Sequence, residues 1–414
     1  MITRSIVLLA CCCILGCTTS GGAGSSRGGN GNRFDDDVAF LKKHTPVVVL
    51  SDASGKSRVA VAPALQGRVM TSTAGDGGAS FGWINRKYFD EVGAGKTNPH
   101  ISPYGGEDRF WIGPEGGQFS IFFEKGEPFD FEHWNTPKFI DVEPFETVSS
   151  SSNSAEFRRR VTFSNYSGTP FDIEIGRTVR LLSADDAWKH LNVAPVGGVN
   201  VVAFETDNTI ANAGKNDWSK QTGLLSIWIL SMFNASPDAV VVIPIQPGSE
   251  RERGMPVNDD YFGKVPPERL KVVNDVVYFK ADGNFRSKIG ISPARTKPVM
   301  ASYDPAQKML TIAQFTFDPN AKEYVNSAWK VQDDPYAGDV ANSYNDGPPG
   351  PGKPQLGKFY ELESSSPAKE LKAGESMNHV HRTIHLQGDE DALDKVARAV
   401  LGVSLEQIRT ALPK

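Results

Sequence analysis

The sequence predicts a mainly β protein, built as one large antiparallel β-sandwich with a short helical tail at its C-terminus. The chain has 414 residues, and its 27 prolines and 40 glycines favour many short strands joined by turns. Residues 156–165 and 170–182 alternate between apolar and polar side chains, as a hairpin with one solvated face does. Residues 223–233 and 240–244 are continuous apolar runs, which indicates buried strands.

The N-terminus predicts export and lipid attachment. Arg4 precedes an apolar run over residues 6–15, and the chain continues as Ile14-Leu15-Gly16-Cys17. This pattern is typical of a secretory signal with a lipobox, so we expect residues 1–16 to be a signal peptide and Cys17 to carry palmitate as the mature N-terminus. The alternative is a plain signal peptide cut elsewhere. Thr18, rather than Asp, follows Cys17, which resembles the outer-membrane sorting pattern of Gram-negative lipoproteins. We therefore expect a lipid-anchored bacterial envelope protein on the periplasmic side of the outer membrane.

The remaining chain divides into three predicted parts. Residues 17–33 are rich in Gly, Ser and Asn and predict a flexible linker. Residues 34–388 form the predicted sandwich domain, and residues 389–414 form the helical tail. Cys17 is the only cysteine after the signal segment, which excludes disulfides and thiolate metal sites there. A net charge of -5 gives no basic surface for nucleic acid.

The first elements of the domain are short. Phe34, Val38 and Leu41 recur at helical spacing and predict a helix over residues 34–43. Residues 47–50, 57–63 and 68–73 are predicted strands. Trp83 and Asn85 follow and share one face if this segment is extended, where an aromatic ring beside an amide would suit a sugar. The alternative is that Trp83 belongs to the core and Asn85 caps a turn.

Residues 104–117 are rich in glycine and charge. Arg109, Trp111 and Glu115 lie between glycines that permit tight turns and close backbone approach. Buried charges are rarely tolerated unless they are paired. We therefore expect Arg109 to pair with a carboxylate and to line a cleft.

Two later segments carry clusters of polar residues. Residues 201–212 are predicted to end a strand and enter a loop that contains Asn208. Residues 324–347 are predicted to be a long irregular segment, and such segments are often functional. Its candidate ligand-binding residues are Trp329, Tyr336, Tyr344, Asn345 and Asp346. The alternative is a compact loop that packs its own aromatic rings.

Residues 357–388 contain two alternating runs. In residues 358–363, Phe359, Glu361 and Glu363 share one side. In residues 377–386, one side carries Met377, His379, His381, Thr383 and His385. We expect the two runs to pair as antiparallel neighbours, which would bring carboxylates and imidazoles within reach of one ligand.

The tail after residue 388 predicts two short helices. Ala392, Val396 and Val400 recur at helical spacing, and Gly402 interrupts the pattern. Residues 404–407 then form a capping box that predicts a second helix start.

The segment Leu362-Glu363-Ser364, followed by Pro367, Leu371, Gly374-Glu375 and a His-containing strand, resembles the C-terminal signature of galactose mutarotases, the aldose 1-epimerases. Weaker similarity covers residues 59–71 and 105–117. The resemblance implies a mutarotase-like supersandwich in which Glu363 is the base at the anomeric hydroxyl. The chain as a whole looks closer to an uncharacterised bacterial lipoprotein family of the same superfamily. The family's acid is a histidine from the region of residues 201–212, where this chain has none.

We expect a carbohydrate-binding envelope protein, with or without chemistry on the sugar. As an enzyme it would be an isomerase, lyase or hydrolase that uses Glu363 as base and His379 or His381 as acid. The expected substrate-binding residues are Trp83, Asn85, Arg109, Trp111, Glu115, Asn208, Asn345, Asp346 and Glu361.

The histidines have two other interpretations, a purely structural role or metal binding with a glutamate, although we expect no metal or cofactor. The rival hypotheses for the whole protein are a non-catalytic glycan-binding lipoprotein that uses Trp83, Trp111 and Trp218, and a structural envelope protein. No oligomeric state is predicted.

Overall fold

The computed structural model describes residues 33–75 and 78–413. The predicted signal peptide and the lipidation site at Cys17 lie outside this part, as does nearly all of the predicted linker. The strands of the described part are β1 Val48–Ser51, β2 Ser57–Ala62, β3 Arg68–Ala74, β4 Arg109–Gly113, β5 Glu146–Ser150, β6 Ser154–Ser164, β7 Pro170–Leu181, β8 Val199–Asn212, β9 Ser226–Asn234, β10 Val240–Pro244, β11 Leu270–Val273, β12 Val276–Lys280, β13 Ser287–Ile291, β14 Val299–Asp304, β15 Met309–Phe315, β16 Ala341–Asn345, β17 Phe359–Ser365 and β18 Ser376–Gly388.

The α-helices of the described part are 4 to 12 residues long. They are α1 Phe34–His44, α2 Arg86–Gly93, α3 Lys138–Asp141, α4 Ala184–Leu191, α5 Glu250–Arg253, α6 Glu390–Leu401 and α7 Leu405–Thr410. Within the ranges that the structure describes, no helix has the length and hydropathy needed to cross a membrane.

Two antiparallel sheets form the sandwich, which confirms the predicted fold class. The larger sheet has ten strands in the order β11-β12-β10-β14-β15-β18-β8-β7-β6-β5, and the smaller has five in the order β13-β16-β17-β9-β4. A three-stranded sheet, β1-β2-β3, joins the smaller layer through an antiparallel bridge between Val69 and Asp108. Side chains alternate between the two faces of β7: Ile173, Ile175 and Val179 are buried and point inward, whereas Glu174 and Thr178 are half-buried and point outward.

The C-terminal tail covers the outer face of the ten-stranded sheet. Leu393 and Val396 of α6 and Ile408 of α7 are fully buried against the outward side chains of that sheet. Gly402 adopts a left-handed conformation with φ of 75° and ends α6, and a capping box of Ser404 and Gln407 begins α7. Both predicted helices are confirmed, as are the first helix and the three strands after it.

Three predictions about elements are wrong. β17 and β18 are not neighbours: β17 pairs with β9 and β16 in the smaller sheet, and β18 pairs with β8 and β15 in the larger. Alternation defines the faces of a strand but not its partner, and residues 366–375 carry the chain from one sheet to the other. The predicted loop near Asn208 is instead part of the continuous strand β8, because its charged residues fall on the outward face. Residues 341–345 of the supposed irregular segment form β16.

The five-stranded sheet has two unlike faces. Its inner face is mostly apolar and packs against the ten-stranded sheet through residues such as Ile229, Ile289 and Leu362. Its outer face carries charged and aromatic side chains and lies beneath long loops. This outer face holds the candidate site.

Candidate functional site

Strand register aligns the polar side chains of the outer face. Arg109 of β4 is level with Leu230 of β9, which is level with Glu363 of β17. Two residues away along β17, Glu361 is in the same lateral row as Lys288 of β13. Because side chains two residues apart share a face, both glutamates and both cations project from the same side of the sheet.

Glu363 is fully buried between an indole and an ammonium group. Its Oε2 accepts hydrogen bonds from Trp228 Nε1 at 2.9 Å and from Lys288 Nζ at 2.8 Å. Lys288 Nζ also lies 4.7 Å from the centre of the Trp228 ring, within the range of a cation–π contact. The side chain of Lys288 is 11% exposed, so this pair connects the buried carboxylate with the edge of the site.

Glu361 forms the second half of the acidic pair. Arg109 Nη2 lies 3.3 Å from Glu361 Oε1, so the expected pairing of Arg109 with a carboxylate occurs here. The Arg109 guanidinium lies 4.2 Å from the centre of the Trp111 ring. Burial, and after it the nearby charge of Glu363, raises the pKa of Glu361 to about 8, so this carboxyl is largely protonated at neutral pH.

Several buried polar atoms of this face have no hydrogen-bond partner among the residues that the structure describes. They are Glu363 Oε1, Arg109 Nε and Nη1, Trp111 Nε1 and Ser226 Oγ. All four residues lie on β4, β9 or β17 and share the outer face by register. Buried polar groups are normally bonded, so a patch with both donors and acceptors left over is suited to a ligand with hydroxyl groups or to ordered water.

The rim of the site adds further acids and a phenol. Tyr261 OH donates to Asp339 Oδ2 and accepts from Asn342 Nδ2 at 2.9 Å. Burial raises the pKa of Asp339. Gly290 of β13 faces this group, and a Cβ there would collide with the Asp339 carboxylate. Glu115 is half-buried, and burial raises its pKa against the opposing effect of the Lys288 charge.

A second edge of the site contains Trp83 and Asp346. Trp83 is buried and stacks on Phe359 with ring centres 4.4 Å apart. Asp346 accepts from Tyr344 OH at 2.7 Å and from the backbone N of Gly357 at 2.8 Å. These contacts lock the edge in place.

Two other predicted binding residues make local structural contacts. Asn85 caps α2 by accepting from the Tyr88 backbone N at 3.1 Å, which is the alternative interpretation given above. Asn345 lies on the inner face of β16 and is held by the backbone of Gly283 and Phe285, each at 2.9 Å. The structure therefore does not bring either side chain to the carboxylates.

The histidines lie on the other side of the smaller sheet from Glu363. His379 Nε2 and His381 Nδ1 each lie 2.8 Å from Ser364 Oγ, which projects from the inner face of β17. Both imidazoles are fully buried, and burial lowers the pKa of each to about 3. The sheet itself separates them from Glu363, so the predicted Glu–His arrangement does not form.

Asn208 and Trp218 are also remote from the carboxylates. Asn208 accepts from Arg177 Nη1 at 2.6 Å and donates to the His379 carbonyl at 3.1 Å, between the two sheets. Trp218 is buried and meets Phe171 edge to face. In the described ranges, no group of three or more His, Cys, Asp or Glu side chains converges as a metal site would require.

Sequence reasoning missed Lys288, Trp228 and Tyr261. Lys288 offered a signal, since it is a lone charge in a short strand-like run, Ser287–Ile291. Trp228 lies inside an apolar run that predicts a buried strand, so nothing in the sequence distinguishes it from a core residue. Tyr261 stands in a charged surface segment with no periodicity, and only the folded chain places it over the sheet.

Fold and site together define a β-sandwich protein with a closed cluster of carboxylates, cations and indoles on the outer face of its smaller sheet. The chain belongs to DUF6786, a family of unknown function whose model matches residues 32–412. No curated protein matches the chain.

Several solved structures are similar to this chain. A putative aldose 1-epimerase from Escherichia coli K12 has 12% identity and a TM-score of 0.48, with 83% of this chain and 99% of that chain covered. A galactose mutarotase-like protein from Lactobacillus casei ATCC 334 has 10% identity and a TM-score of 0.45, with 83% and 100% covered. A putative mutarotase from Salmonella typhimurium has 12% identity and a TM-score of 0.44, with 83% and 90% covered.

Proposed function

We propose that the protein binds a carbohydrate at the outer face of the five-stranded sheet, with Glu363 as the central acceptor for a sugar hydroxyl. The observation that carries the proposal is the patch of unpaired buried donors and acceptors around Glu363, Arg109 and Trp111. Sugars present closely spaced hydroxyls that both donate and accept, together with apolar ring faces that suit indoles. The resemblance of residues 362–375 to the mutarotase signature supports the same class of ligand.

Direct binding tests this proposal. D-glucose, D-galactose, D-mannose and D-galacturonate are titrated by calorimetry into the wild type, Glu363→Gln and the control Glu174→Gln. Glu174 is a half-buried residue on the opposite outer surface, on β7. We expect at least one sugar to bind the wild type and the control, and to bind Glu363→Gln at least tenfold more weakly, because a charge-assisted hydrogen bond is lost. Equal binding by Glu363→Gln, or no binding to the wild type, contradicts the proposal.

A second candidate function is interconversion of sugar anomers. It is favoured by two carboxyls on one strand face, one ion-paired with Lys288 and the other with its pKa raised to about 8. Such divergent environments are the usual arrangement of a base beside an acid. Glu363 would take the proton of the anomeric hydroxyl while Glu361 gives its proton to the ring oxygen, which opens the C1–O bond; reversal of both transfers on either face closes it.

Exchange spectroscopy of the α and β anomers in NMR tests this activity. We expect exchange above the uncatalysed rate with the wild type and its loss in both Glu363→Gln and Glu361→Gln. Binding without accelerated exchange in the wild type would remove the catalytic function and leave the binding function intact.

We propose in addition that the protein is lipid-anchored in the bacterial envelope through Cys17, on the sequence pattern of residues 1–17 alone. Incorporation of labelled palmitate should occur in the full-length protein and be abolished by Cys17→Ala. Incorporation that persists in Cys17→Ala contradicts this attachment site.

A further inference from the structure

Aromatic residues continue from the candidate site toward the protein surface. Trp329 is half-buried, and its side chain lies close to the Glu115 carboxyl at the rim of the site. Its ring centre lies 5.7 Å from that of Trp134 at an interplanar angle of 23°. Trp134 in turn lies 6.1 Å from Phe131 at 21°. We call these three nearly parallel rings, Trp329, Trp134 and Phe131, the aromatic shelf. Trp134 is only 6% exposed, so Phe131 and the half-buried Trp329 provide the accessible surface of the shelf.

The shelf ends in solvent. Phe131 is 57% exposed, and Val331, two residues beyond Trp329, is 69% exposed. These are among the most exposed large apolar side chains in the described part of the chain. An exposed apolar patch that continues from a buried polar cluster indicates a binding surface, whereas scattered exposed apolar residues do not.

Loop contacts fix the shelf in place. Gln118 Nε2 donates to the Gln332 carbonyl at 2.9 Å, and the Gln332 backbone N donates to Gln118 Oε1 at 3.0 Å. The Glu115 backbone N donates to Ser327 Oγ at 3.1 Å. The segment that carries Glu115 is thereby joined to the segment that carries Trp329. A surface ordered before binding loses less conformational entropy when a ligand arrives.

We infer that the aromatic shelf binds additional sugar units of a glycan whose end unit occupies the carboxylate cluster, so that the ligand is an oligosaccharide. The inference rests on the proposed function. Aromatic rings pack against the apolar faces of pyranoses while the sugar hydroxyls remain in water, and such stacking tolerates different linkages. The shelf begins beside Glu115 at the rim of the site and reaches solvent at Phe131.

Chain length provides the test. Cellotetraose, mannotetraose and tetragalacturonate are compared by calorimetry with their monosaccharides on the wild type, Phe131→Ala and the control Phe285→Ala. Phe285 is 41% exposed and packs against Arg269 rather than the shelf. For whichever sugar binds, we expect the tetrasaccharide to bind the wild type and the control at least tenfold more tightly than the corresponding monosaccharide does. Phe131→Ala should lose most of this gain and keep its monosaccharide affinity.

The outcomes separate the two proposals. If a monosaccharide binds in a manner that depends on Glu363 but chain length changes nothing, the shelf inference is overturned and the proposed function stands. The same holds if Phe131→Ala binds the tetrasaccharide as the wild type does. If no saccharide binds the wild type, both proposals fail.

Discussion

Two buried polar regions lie on opposite sides of the five-stranded sheet, and they differ in how fully their hydrogen bonds are satisfied. Between the sheets, Arg177 bonds to Asp108 at 2.6 Å, to Asn208 at 2.6 Å and to the Gly67 carbonyl at 3.2 Å. The second oxygen of Asp108 accepts from Thr206 Oγ1 at 2.9 Å. Among the described residues, every nitrogen and oxygen of the Arg177, Asp108, Asn208 and Thr206 side chains has a partner, although Nδ1 of the neighbouring His379 has none. On the outer face, by contrast, the cluster around Glu363 leaves donors and acceptors unpaired.

The difference teaches how to separate structural from functional buried charge in this fold. A fully bonded network specifies one packing of the two sheets and offers nothing to a ligand. An incompletely bonded cluster with a carboxyl of raised pKa is suited to exchange its protein contacts for those of a ligand. The density of charge in the sequence does not distinguish the interior network from the outer cluster. Asp108 and Arg109 are adjacent residues, yet Asp108 belongs to the interior network and Arg109 to the outer cluster.

The largest expected effect is on the interior network. Asp108→Ala leaves the Arg177 guanidinium buried without its counter-ion, and removing one partner of a buried pair costs about 3–5 kcal/mol. We expect the free energy of unfolding, measured by denaturant titration, to fall by this amount. A loss below about 1 kcal/mol, the magnitude typical of surface pairs, would show that the interior network is not a structural element.

The fold was largely predictable because alternation and turn residues are local signals. Side-chain periodicity predicted the first helix and the hairpin over residues 156–165 and 170–182, which the structure has as β6 and β7, and the capping-box motif predicted the start of α7. The strands that pair with β17 could not be predicted in this way, because pairing between distant segments depends on the whole topology. Because β17 and β18 belong to different sheets, His379 and His381 cannot share a ligand with Glu363.

The site was predictable only in part. Arg109, Trp111, Glu361 and Glu363 were found because charges and indoles stand out in strand-like runs. Lys288 completes the cluster from β13, two strands away in the sheet, and no spacing in the sequence links it to Glu363. Asn208 shows the converse, since a polar residue that the sequence offers as a ligand contact is already bonded by Arg177, Thr206 and the His379 carbonyl.

The two regions should also respond to pH in opposite directions, and the interior histidines should give the larger response because two groups contribute. Burial lowers the pKa of His379 and His381 to about 3, whereas in the unfolded chain it lies near 6.5. Below pH 6.5 the unfolded state therefore binds more protons, so stability decreases as pH falls from about 6.5 toward 3. Denaturant titrations across this window should show the decrease, with a shallower slope in His379→Gln. If the unfolding free energy of His379→Gln changes with pH as steeply as that of the wild type, the loss of stability does not come from His379.

Glu361 should make the folded protein less stable as pH rises into the alkaline range. Its pKa is raised from 4.5 to about 8, so the folded state binds the additional proton between these values. Its contribution to stability is therefore fully present below about pH 4.5 and is lost as pH rises through about 8. We expect Glu361→Gln to remove this loss, measured as the difference in unfolding free energy between pH 6 and 9. A wild type and variant with parallel profiles would show that Glu361 is ionised in the folded protein.

The smallest effect is expected for an ion pair that repeats the interior chemistry in solvent. Arg177 and Asp172 both lie on β7, Arg177 facing the interior and Asp172 facing outward, where it pairs with Arg160 at 2.9 Å. The Arg160 side chain is 60% exposed, so water and salt screen the pair and its formation restricts two mobile side chains. We expect Arg160→Ala to leave the denaturation midpoint unchanged within error, while Asp108→Ala, which breaks the same type of contact, lowers it strongly. Similar losses in the two variants would mean that the identity of the charges, and not their burial, sets the importance of an ion pair in this protein.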